Sequence, residues 1–381
     1  MSVTAPKGFR ASGITAGLKA SGRPDLALVV NDGPLDAVAG VFTRNRIVAA
    51  SVPWTRQVVS DGRMSAVVLN SGSANAFTGP QGFTDVHTTA EAVAAALGTS
   101  AADVGVCQTG VIGVLAPMDN LLAGVGPLTK QLSDSGGSAA AEAIRTTDTV
   151  SKQAVAAGDG WSVGGMGKGA AMLAPALATM LVVLTTDAVA DAATLDTVLR
   201  AASATTFDRL DVDGCISTND TVLLLASGAS GVHADPAQLA EKVHDVCRSL
   251  ALQMAADAEG ASKLVTVEVT SAATEADALE VARAVGRNAL VKTALAGGDP
   301  NWGRVVAAFG ITGAAFEQET VSVAMNGVVL AEKSCPTGNP VDLSPRDVTI
   351  SVDLGVGVES AYVWTTDLTT EYVRLNSEYT T

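Results

Sequence analysis

The sequence predicts a layered α+β fold, in which sheets and helices pack as separate layers. Short apolar runs punctuated by Gly, Pro and Asn fill the first part of the chain, a pattern typical of strands. Longer segments with apolar residues at helical spacing also occur, and the two kinds of element come in runs that do not alternate strictly. With 381 residues, the chain can bury its own site. We therefore expect an α/β sandwich with a second, smaller α/β region.

The first half of the chain is expected to be rich in strands. Residues 8–60 read as strands and hairpins, because their apolar runs are bounded by Gly, Asn-Asp-Gly and Pro. Small polar residues at 70–75 either form a turn or line a pocket. The sequence predicts strands at 26–30, 37–42, 65–69 and 104–107, with helices at 84–96, 121–132 and 139–144.

The second half mixes the two kinds of element. Apolar residues recur at helical spacing through 236–257, which predicts a long helix. Strands are expected to fill most of 320–365. The sequence also predicts helices at 192–202 and 276–288, and strands at 221–225 and 264–269.

One stretch, residues 164–187, organises the rest of the chain. Its glycines predict a flexible backbone before Thr179 that can bend sharply and come close to another group, and Lys168 is its only charge before Asp187. The apolar run Met180–Leu184 has the length and composition of a buried strand. Thr179 is therefore expected to lie at the mouth of that strand.

Composition limits the kinds of partner. A formal net charge of −15 argues against binding nucleic acid or an anionic membrane, so a small-molecule substrate is expected. The four cysteines, Cys107, Cys215, Cys247 and Cys335, form no CxxC pair, which predicts reduced thiols and no metal site. No apolar signal region and no 18-residue apolar run occurs, so we expect a soluble cytoplasmic protein.

The usual hydrolase and nucleotide motifs are missing from the sequence. No GxSxG elbow or P-loop occurs, and no catalytic motif surrounds the three histidines, His87, His233 and His244. A threonine can nevertheless act as a nucleophile when its own α-amine is the base, which requires the bond between Ala178 and Thr179 to be cut. A cation such as Lys168 would lower the pKa of that amine. The alternative is that Thr179 simply opens a strand. Thr109-Gly110 is likewise either an oxyanion hole or a turn.

Several separate blocks together resemble one known family, the ornithine acetyltransferases of arginine biosynthesis. The blocks are GGMGKGAAMLAPALATMLVVLTTDA, NSGSANAFTG, CQTGVIG, IRTTDT, STNDTVLLLASG, EGASKLVTVEV, GGDPNWGRV and RLNSEYTT. They run in order from the first strand to the last residue. Two departures are Ser73, where the family often has Asn, and Cys215, where it often has an acidic residue.

The resemblance implies a fold of the N-terminal-nucleophile type and a self-cleaving precursor. Cleavage between Ala178 and Thr179 would give an α chain of 1–178 and a β chain of 179–381, which interleave into one catalytic unit and pair as α2β2. Thr179 would then pass the acetyl group from N2-acetylornithine to glutamate in a double-displacement cycle. No cofactor is implied, although acetyl-CoA is an alternative donor.

The resemblance also assigns roles to residues. Thr109 and Gly110 match the family's oxyanion pair, and the implied substrate-binding positions are Thr146, Lys168, Thr179, Glu259, Asn376 and Thr381. Lys168 and the two C-terminal residues can donate to a substrate carboxylate, and Glu259 can pair with the side-chain amine of ornithine.

Two other readings stay open. A self-cleaving aminopeptidase or amidase would use the same groups with water as the acceptor. An uncleaved small-molecule-binding protein would use Thr179 only to begin a strand.

Overall fold

The computed structural model describes residues 2–174 and 180–378. Its strands are β1 Phe9–Ile14, β2 Leu26–Asn31, β3 Ala37–Phe42, β4 Ala66–Ser73, β5 Val104–Val111, β6 Lys152–Ala157, β7 Ser162–Lys168, β8 Leu181–Thr186, β9 Thr221–Ala226, β10 Leu264–Ala272, β11 Ser322–Met325, β12 Val328–Glu332, β13 Cys335–Pro336, β14 Asp347–Asp353 and β15 Glu359–Thr366. Its helices are α1 Ser51–Val59, α2 Gly79–Leu97, α3 Met118–Lys130, α4 Gly137–Ala143, α5 Ala192–Thr205, α6 Pro236–Ala256, α7 Glu275–Arg287, α8 Ala289–Ala296, α9 Trp302–Phe309 and α10 Thr370–Glu378.

Two stacked sheets form the main body. One has the order β1-β2-β4-β5 and the other the order β3-β9-β8-β7-β6. Apolar side chains of both sheets meet in one core cluster, which includes Val67 and Leu69 from β4 and Val183 from β8. A second cluster joins the five-stranded sheet to α5 and α6, and a third joins the four-stranded sheet to α2 and α3. Helices therefore cover the outer face of each sheet, and the predicted layered α+β sandwich is confirmed.

Strand β8 occupies the centre of the five-stranded sheet. It pairs antiparallel with β7 and parallel with β9, and all six of its residues are buried. Burial on both faces explains its continuous apolar sequence, since neither face meets water. The predicted buried strand after Thr179 is confirmed, whereas Ala178 and Thr179 themselves lie outside the described residues.

The glycines before Lys168 do not form the expected bend. They belong to β7, which pairs with both β6 and β8. A Cβ on Gly165 would lie 2.8 Å from Leu184 Cδ2 and 2.8 Å from Val246 Cγ1. The predicted sharp bend is wrong for these residues, whereas the predicted close approach to another group is confirmed, because the glycines allow close packing between the sheet and α6.

A second α/β region follows the main body. Its sheet has the order β13-β12-β11-β14-β10-β15, and α7 and α9 contribute to the apolar core against it. Strand β10 pairs parallel with β14 and antiparallel with β15. This confirms the predicted smaller region. Within residues 2–174 and 180–378, no helix has the length and hydrophobicity that crossing a membrane requires.

Three local predictions need correction. Helix α1 lies within 8–60, where strands and hairpins were expected, and Pro53 is tolerated in its first turn because an N–H there has no helical partner. Strand β5 continues through Thr109-Gly110, so this pair is not a turn. Helices α8 and α9 were not predicted.

Candidate active site

A pocket opens where the two stacked sheets meet near the start of β8. Its lining comes from the ends of β4, β5 and β7 and from the loops before β6 and β9. The lining residues are Ala74, Thr109, Gly110, Ile112, Thr146, Thr147, Lys168, Ala171, Met172, Ser217, Thr218 and Asn219. Four residues that the sequence predicted separately, Thr109, Gly110, Thr146 and Lys168, are thus brought to one place.

Thr109 and Gly110 lie on β5 beside an irregularity in β4. The register between the two parallel strands shifts at Gly72 and Ser73. Gly110 has a φ of 131°, and a Cβ at this position would lie 2.4 Å from the carbonyl carbon of Gly72. Only glycine fits such a close approach, so the backbone of the predicted oxyanion pair is fixed by packing.

Lys168 ends β7 and lies opposite Leu181 across the sheet. Its side chain is almost completely buried. Burial lowers the pKa of Lys168, and the nearby Asp148, Asp220 and Glu259 partly oppose that shift. The register therefore places Lys168 opposite the second residue after Thr179.

A buried charge network supports the Thr146 side of the pocket. The Nζ of Lys152 is 2.7 Å from Asp148 Oδ1 and 2.6 Å from Asp257 Oδ2. Asp148 also accepts the N–H groups of Gly169 at 2.7 Å and Thr146 at 3.1 Å. The network therefore ties the loop before β6 to the end of β7 and to the end of α6.

Sequence reasoning missed this network. Lys152 begins β6 and Asp148 lies four residues earlier in the loop, so the pair belongs to no helix and to no motif that the sequence displays. Asp257 comes more than 100 residues later, at the C-terminal end of α6. Only Asp148 falls within a block that carried the family resemblance, IRTTDT, and that block gave it no role.

Asn219 joins the two sheets at the pocket. Its Nδ2 donates to the carbonyl of Ala74 at 2.6 Å and to the carbonyl of Gln108 at 2.7 Å. The bonds connect the loop before β9 to the ends of β4 and β5. Asn219 is buried, and its position in the block STNDTVLLLASG was the available signal.

Glu259 lies beside the pocket and Asn376 lies apart from it. Glu259 is only 8% exposed, its N–H donates to the Ala170 carbonyl, and its charge raises the pKa of Lys168. Asn376 is exposed on α10, where its Nδ2 donates to the carbonyl of Tyr372 in its own helix. It is not among the described lining residues, so the structure does not bring it to Lys168. Thr381 lies outside the described residues.

Helix α10 is nevertheless anchored next to Glu259. The Oγ1 of Thr369 donates to the Gly260 carbonyl at 2.6 Å. Gly260 has a φ of 64°, and a Cβ there would lie 2.3 Å from the backbone nitrogen of Tyr372. The start of α10, the helix that carries Asn376, is thus held next to Glu259.

The two sides of residues 175–179 are both held by the segment 211–221. Upstream, the carbonyl of Leu173 accepts the Val212 N–H, and its N–H donates to Asp213 Oδ2 at 3.3 Å. Downstream, the N–H of Met180 donates to Asp220 Oδ1 at 3.1 Å. The chain entering and the chain leaving the expected cleavage point are therefore both fixed.

The chemistry of this pocket suits a small, polar molecule. A buried ammonium can bind a carboxylate, and the surrounding hydroxyl groups can orient polar atoms. Among the described residues, no group of His, Cys, Asp and Glu is arranged to hold a metal ion. Fold and site together define an enzyme that acts on small molecules.

Comparison with known proteins identifies the family. A model described as the ArgJ family matches residues 10–381. A protein named arginine biosynthesis bifunctional protein ArgJ from Streptomyces coelicolor is 58% identical, with 100% of both chains covered. The protein of the same name from Streptomyces avermitilis is 59% identical over the same full extent. A solved chain of Mycobacterium tuberculosis ornithine acetyltransferase complexed with ornithine is 56% identical, covers 47% of this chain and 96% of its own length, and has a TM-score of 0.46. The full-length matches show that this chain belongs to the ArgJ family, which confirms the resemblance stated from the sequence.

Proposed function

We propose that this enzyme cuts itself between Ala178 and Thr179 and then transfers the acetyl group of N2-acetyl-L-ornithine to L-glutamate. The supporting observation is the convergence of Thr109, Gly110 and Lys168 at the start of β8, the strand that follows Thr179. The names of the full-length relatives place them in arginine biosynthesis, which agrees with this substrate pair.

Self-cleavage begins with attack of the Thr179 hydroxyl on the Ala178 carbonyl carbon. A C–O ester bond forms, the C–N peptide bond breaks, and the hydroxyl proton ends on the α-amine of Thr179. Water then hydrolyses the ester. The α chain leaves with a carboxylate, and Thr179 regains its hydroxyl next to a free amine.

Acetyl transfer repeats the same attack on the substrate. The α-amine of Thr179 takes the hydroxyl proton while Oγ attacks the acetyl carbonyl, and ornithine leaves with that proton on its own amine. The amine of glutamate then attacks the acetyl-threonine ester, and Thr179 recovers its proton. Thr109 and Gly110 would stabilise the oxyanion in each step.

Substrate recognition follows from the charges around the pocket. Lys168, buried and cationic, is suited to the α-carboxylate that both substrates carry. Glu259 is suited to the side-chain ammonium of ornithine. Thr146 would orient the acetyl donor from the loop that Asp148 supports. Asn376 and Thr381 are proposed as donors to the substrate carboxylate.

We also propose a second acetyl donor, an assembly and a location for this enzyme. Acetyl-CoA is an alternative donor, which would let the enzyme also start the cycle by acetylating glutamate. We further propose an N-terminal-nucleophile fold type, α2β2 assembly of the cleaved chains and a cytoplasmic location. The competing activity is an aminopeptidase or amidase in which water replaces glutamate.

The first prediction concerns Thr179 itself. Wild-type protein should give two species by intact mass, split between 178 and 179, whereas Thr179→Ala should stay as one chain. Because the nucleophile and base are lost together, transfer by Thr179→Ala should fall at least about 1,000-fold. Thr179→Ser, which keeps a hydroxyl, should cleave and retain measurable transfer.

The control is Thr197→Ala, since Thr197 is an exposed threonine on α5. It should cleave and transfer like the wild type. Turnover by uncleaved Thr179→Ala would remove Thr179 from the mechanism. Release of acetate from N2-acetylornithine at the same rate with and without glutamate would instead favour the hydrolase.

A further inference from the structure

A buried carboxyl group, that of Asp220, holds the residue directly after Thr179. Its Oδ1 accepts the Met180 N–H at 3.1 Å. The Met180 carbonyl in turn accepts the Thr221 N–H at 3.2 Å. Both polar groups of the Met180 backbone are therefore bound to consecutive residues at the start of β9.

The second oxygen of this carboxyl is unusual. Asp220 is 0% exposed, and its Oδ2 has no hydrogen-bond partner within the described residues. The nearby hydroxyl of Thr43 donates elsewhere, to the Ser217 carbonyl at 2.7 Å. A buried polar atom without a partner lowers the stability of the fold, so a functional role for this carboxyl is worth considering.

The surroundings favour the neutral form of this group. Burial raises the pKa of Asp220 well above its usual value. The bond from Met180, the hydroxyl groups of Ser217 and Thr43 and the charge of Lys168 only partly oppose this. The titratable neighbours are Lys168 from β7 and Cys215 from the same loop. Burial therefore shifts this carboxyl toward its neutral form.

A neutral acid suits the chemistry proposed for Thr179. Its α-amine must be unprotonated to accept the hydroxyl proton. An ionised carboxylate one residue away would stabilise the ammonium form and raise the pKa of the amine, whereas a neutral carboxyl does not. A protonated Asp220 can thus hold Met180 without removing the base.

We propose that Asp220 is a positioning residue for Thr179: its buried carboxyl anchors the N–H of Met180, the residue that follows the nucleophile. The inference rests on the proposed self-cleavage and transfer. The inference is drawn from the hydrogen bonds. Asp220 accepts the N–H of the first peptide after the nucleophile, and the adjacent Thr221 donates to the Met180 carbonyl.

The second prediction compares two variants of this residue. Asp220→Asn keeps a neutral acceptor of the same shape, so cleavage followed by intact mass and transfer per cleaved chain should stay within about threefold of wild type. Its pH profile between 6 and 8.5 should match the wild-type profile. Asp220→Ala lacks the acceptor and should cleave at least about tenfold more slowly, with a lower kcat and a KM close to wild type.

Controls separate this inference from folding and from the proposed function. Asp85→Ala removes another buried carboxyl, on α2, and should cleave and transfer like wild type. If Asp220→Ala does not fold, Asp220→Leu, which fills the space, takes its place. Wild-type rates in the folded Ala or Leu variant would overturn the proposal, as would an Asn variant that is as impaired as they are. A wild-type protein that never cleaves would overturn the proposed function instead.

Discussion

Asp148 and Asp220 are both buried beside the same pocket, yet their surroundings are opposite. Asp148 meets the ammonium of Lys152 at 2.7 Å and accepts two backbone N–H groups. Asp220 accepts one N–H, from Met180, and its other oxygen has no partner in the described part of the chain. Burial raises the pKa of each carboxyl, but only at Asp148 do Lys168 and Lys152 outweigh it and lower the pKa overall.

The difference shows that the number of close cations, not burial alone, decides the direction in which the pKa of each carboxyl shifts. The Asp148 side is a network of paired charges that fixes the loops carrying Thr146 and Lys168. The Asp220 side supplies a hydrogen-bond acceptor from a carboxyl whose pKa is raised, next to the proposed nucleophile. One pocket therefore uses the same residue type for two purposes.

The largest expected effect comes from breaking the paired side at Lys152. Its side chain is fully buried between Asp148 and Asp257, so Lys152→Met leaves two carboxylates without their shared cation. Removing one partner of a buried ion pair costs about 3 to 5 kcal/mol. Urea unfolding, with Thr179→Ala as a common background that keeps one chain, should show a loss of that size.

An exposed ion pair provides the control for this third prediction. Arg200 pairs with Asp196 on α5, and their side chains are 62% and 45% exposed. Arg200→Met should cost less than about 1 kcal/mol, because water screens surface pairs. Equal losses in Lys152→Met and Arg200→Met would show that the buried network contributes no more than a surface pair.

A smaller effect is expected from Asp148→Asn, the fourth prediction. Asparagine keeps the shape and an acceptor oxygen, and Lys152 keeps Asp257, so the loss at neutral pH should be about 2 to 3 kcal/mol. The pKa of Asp148 is lower in the folded state, so its stabilisation is present above an unfolded pKa of about 3.9 and is lost as pH falls. Wild type should therefore lose more stability than the variant between pH 5 and pH 2, and parallel curves would contradict this.

The fold was largely predictable because its strands and helices have simple periodicities. Strand β8 begins with an apolar run and helix α6 repeats its apolar residues at helical spacing, so each can be recognised from its own stretch of sequence. Strand β7 could not be recognised in this way, since glycines usually mark bends. Its glycines are explained only by the α6 side chains that pack closely against them in the folded protein. Helix α10 has no buried residue in its described part, so no apolar face signals it.

The site was predictable only where the resemblance supplied residues. Thr109, Gly110, Thr146 and Lys168 do come together, although nothing in their spacing places them in one pocket. The partners that fix them come from distant segments, as Asn219 and Asp257 do, and a long-range contact leaves no periodic trace in the sequence. Asp220 was missed for the same reason, because its partner Met180 lies 40 residues earlier, directly before β8, and its burial is a property of the packed core.

The fifth prediction concerns how the stability of Asp220→Asn changes with pH. Because the pKa of Asp220 is higher in the folded than in the unfolded state, its folded form holds a proton that the unfolded chain releases above about pH 4. Wild-type stability from this residue therefore falls as pH rises, by at most about 1.4 kcal/mol per pH unit, until the folded pKa is reached. The Asn variant has no such slope. In the Thr179→Ala background, the Asp220→Asn protein should become more stable relative to the protein that keeps Asp220 as pH rises from 5 to 8. Asp148 has the opposite dependence, because its contribution to stability is lost as pH falls. A difference that is flat over this range would mean that Asp220 is ionised in the folded protein and that the two sides of the pocket are alike.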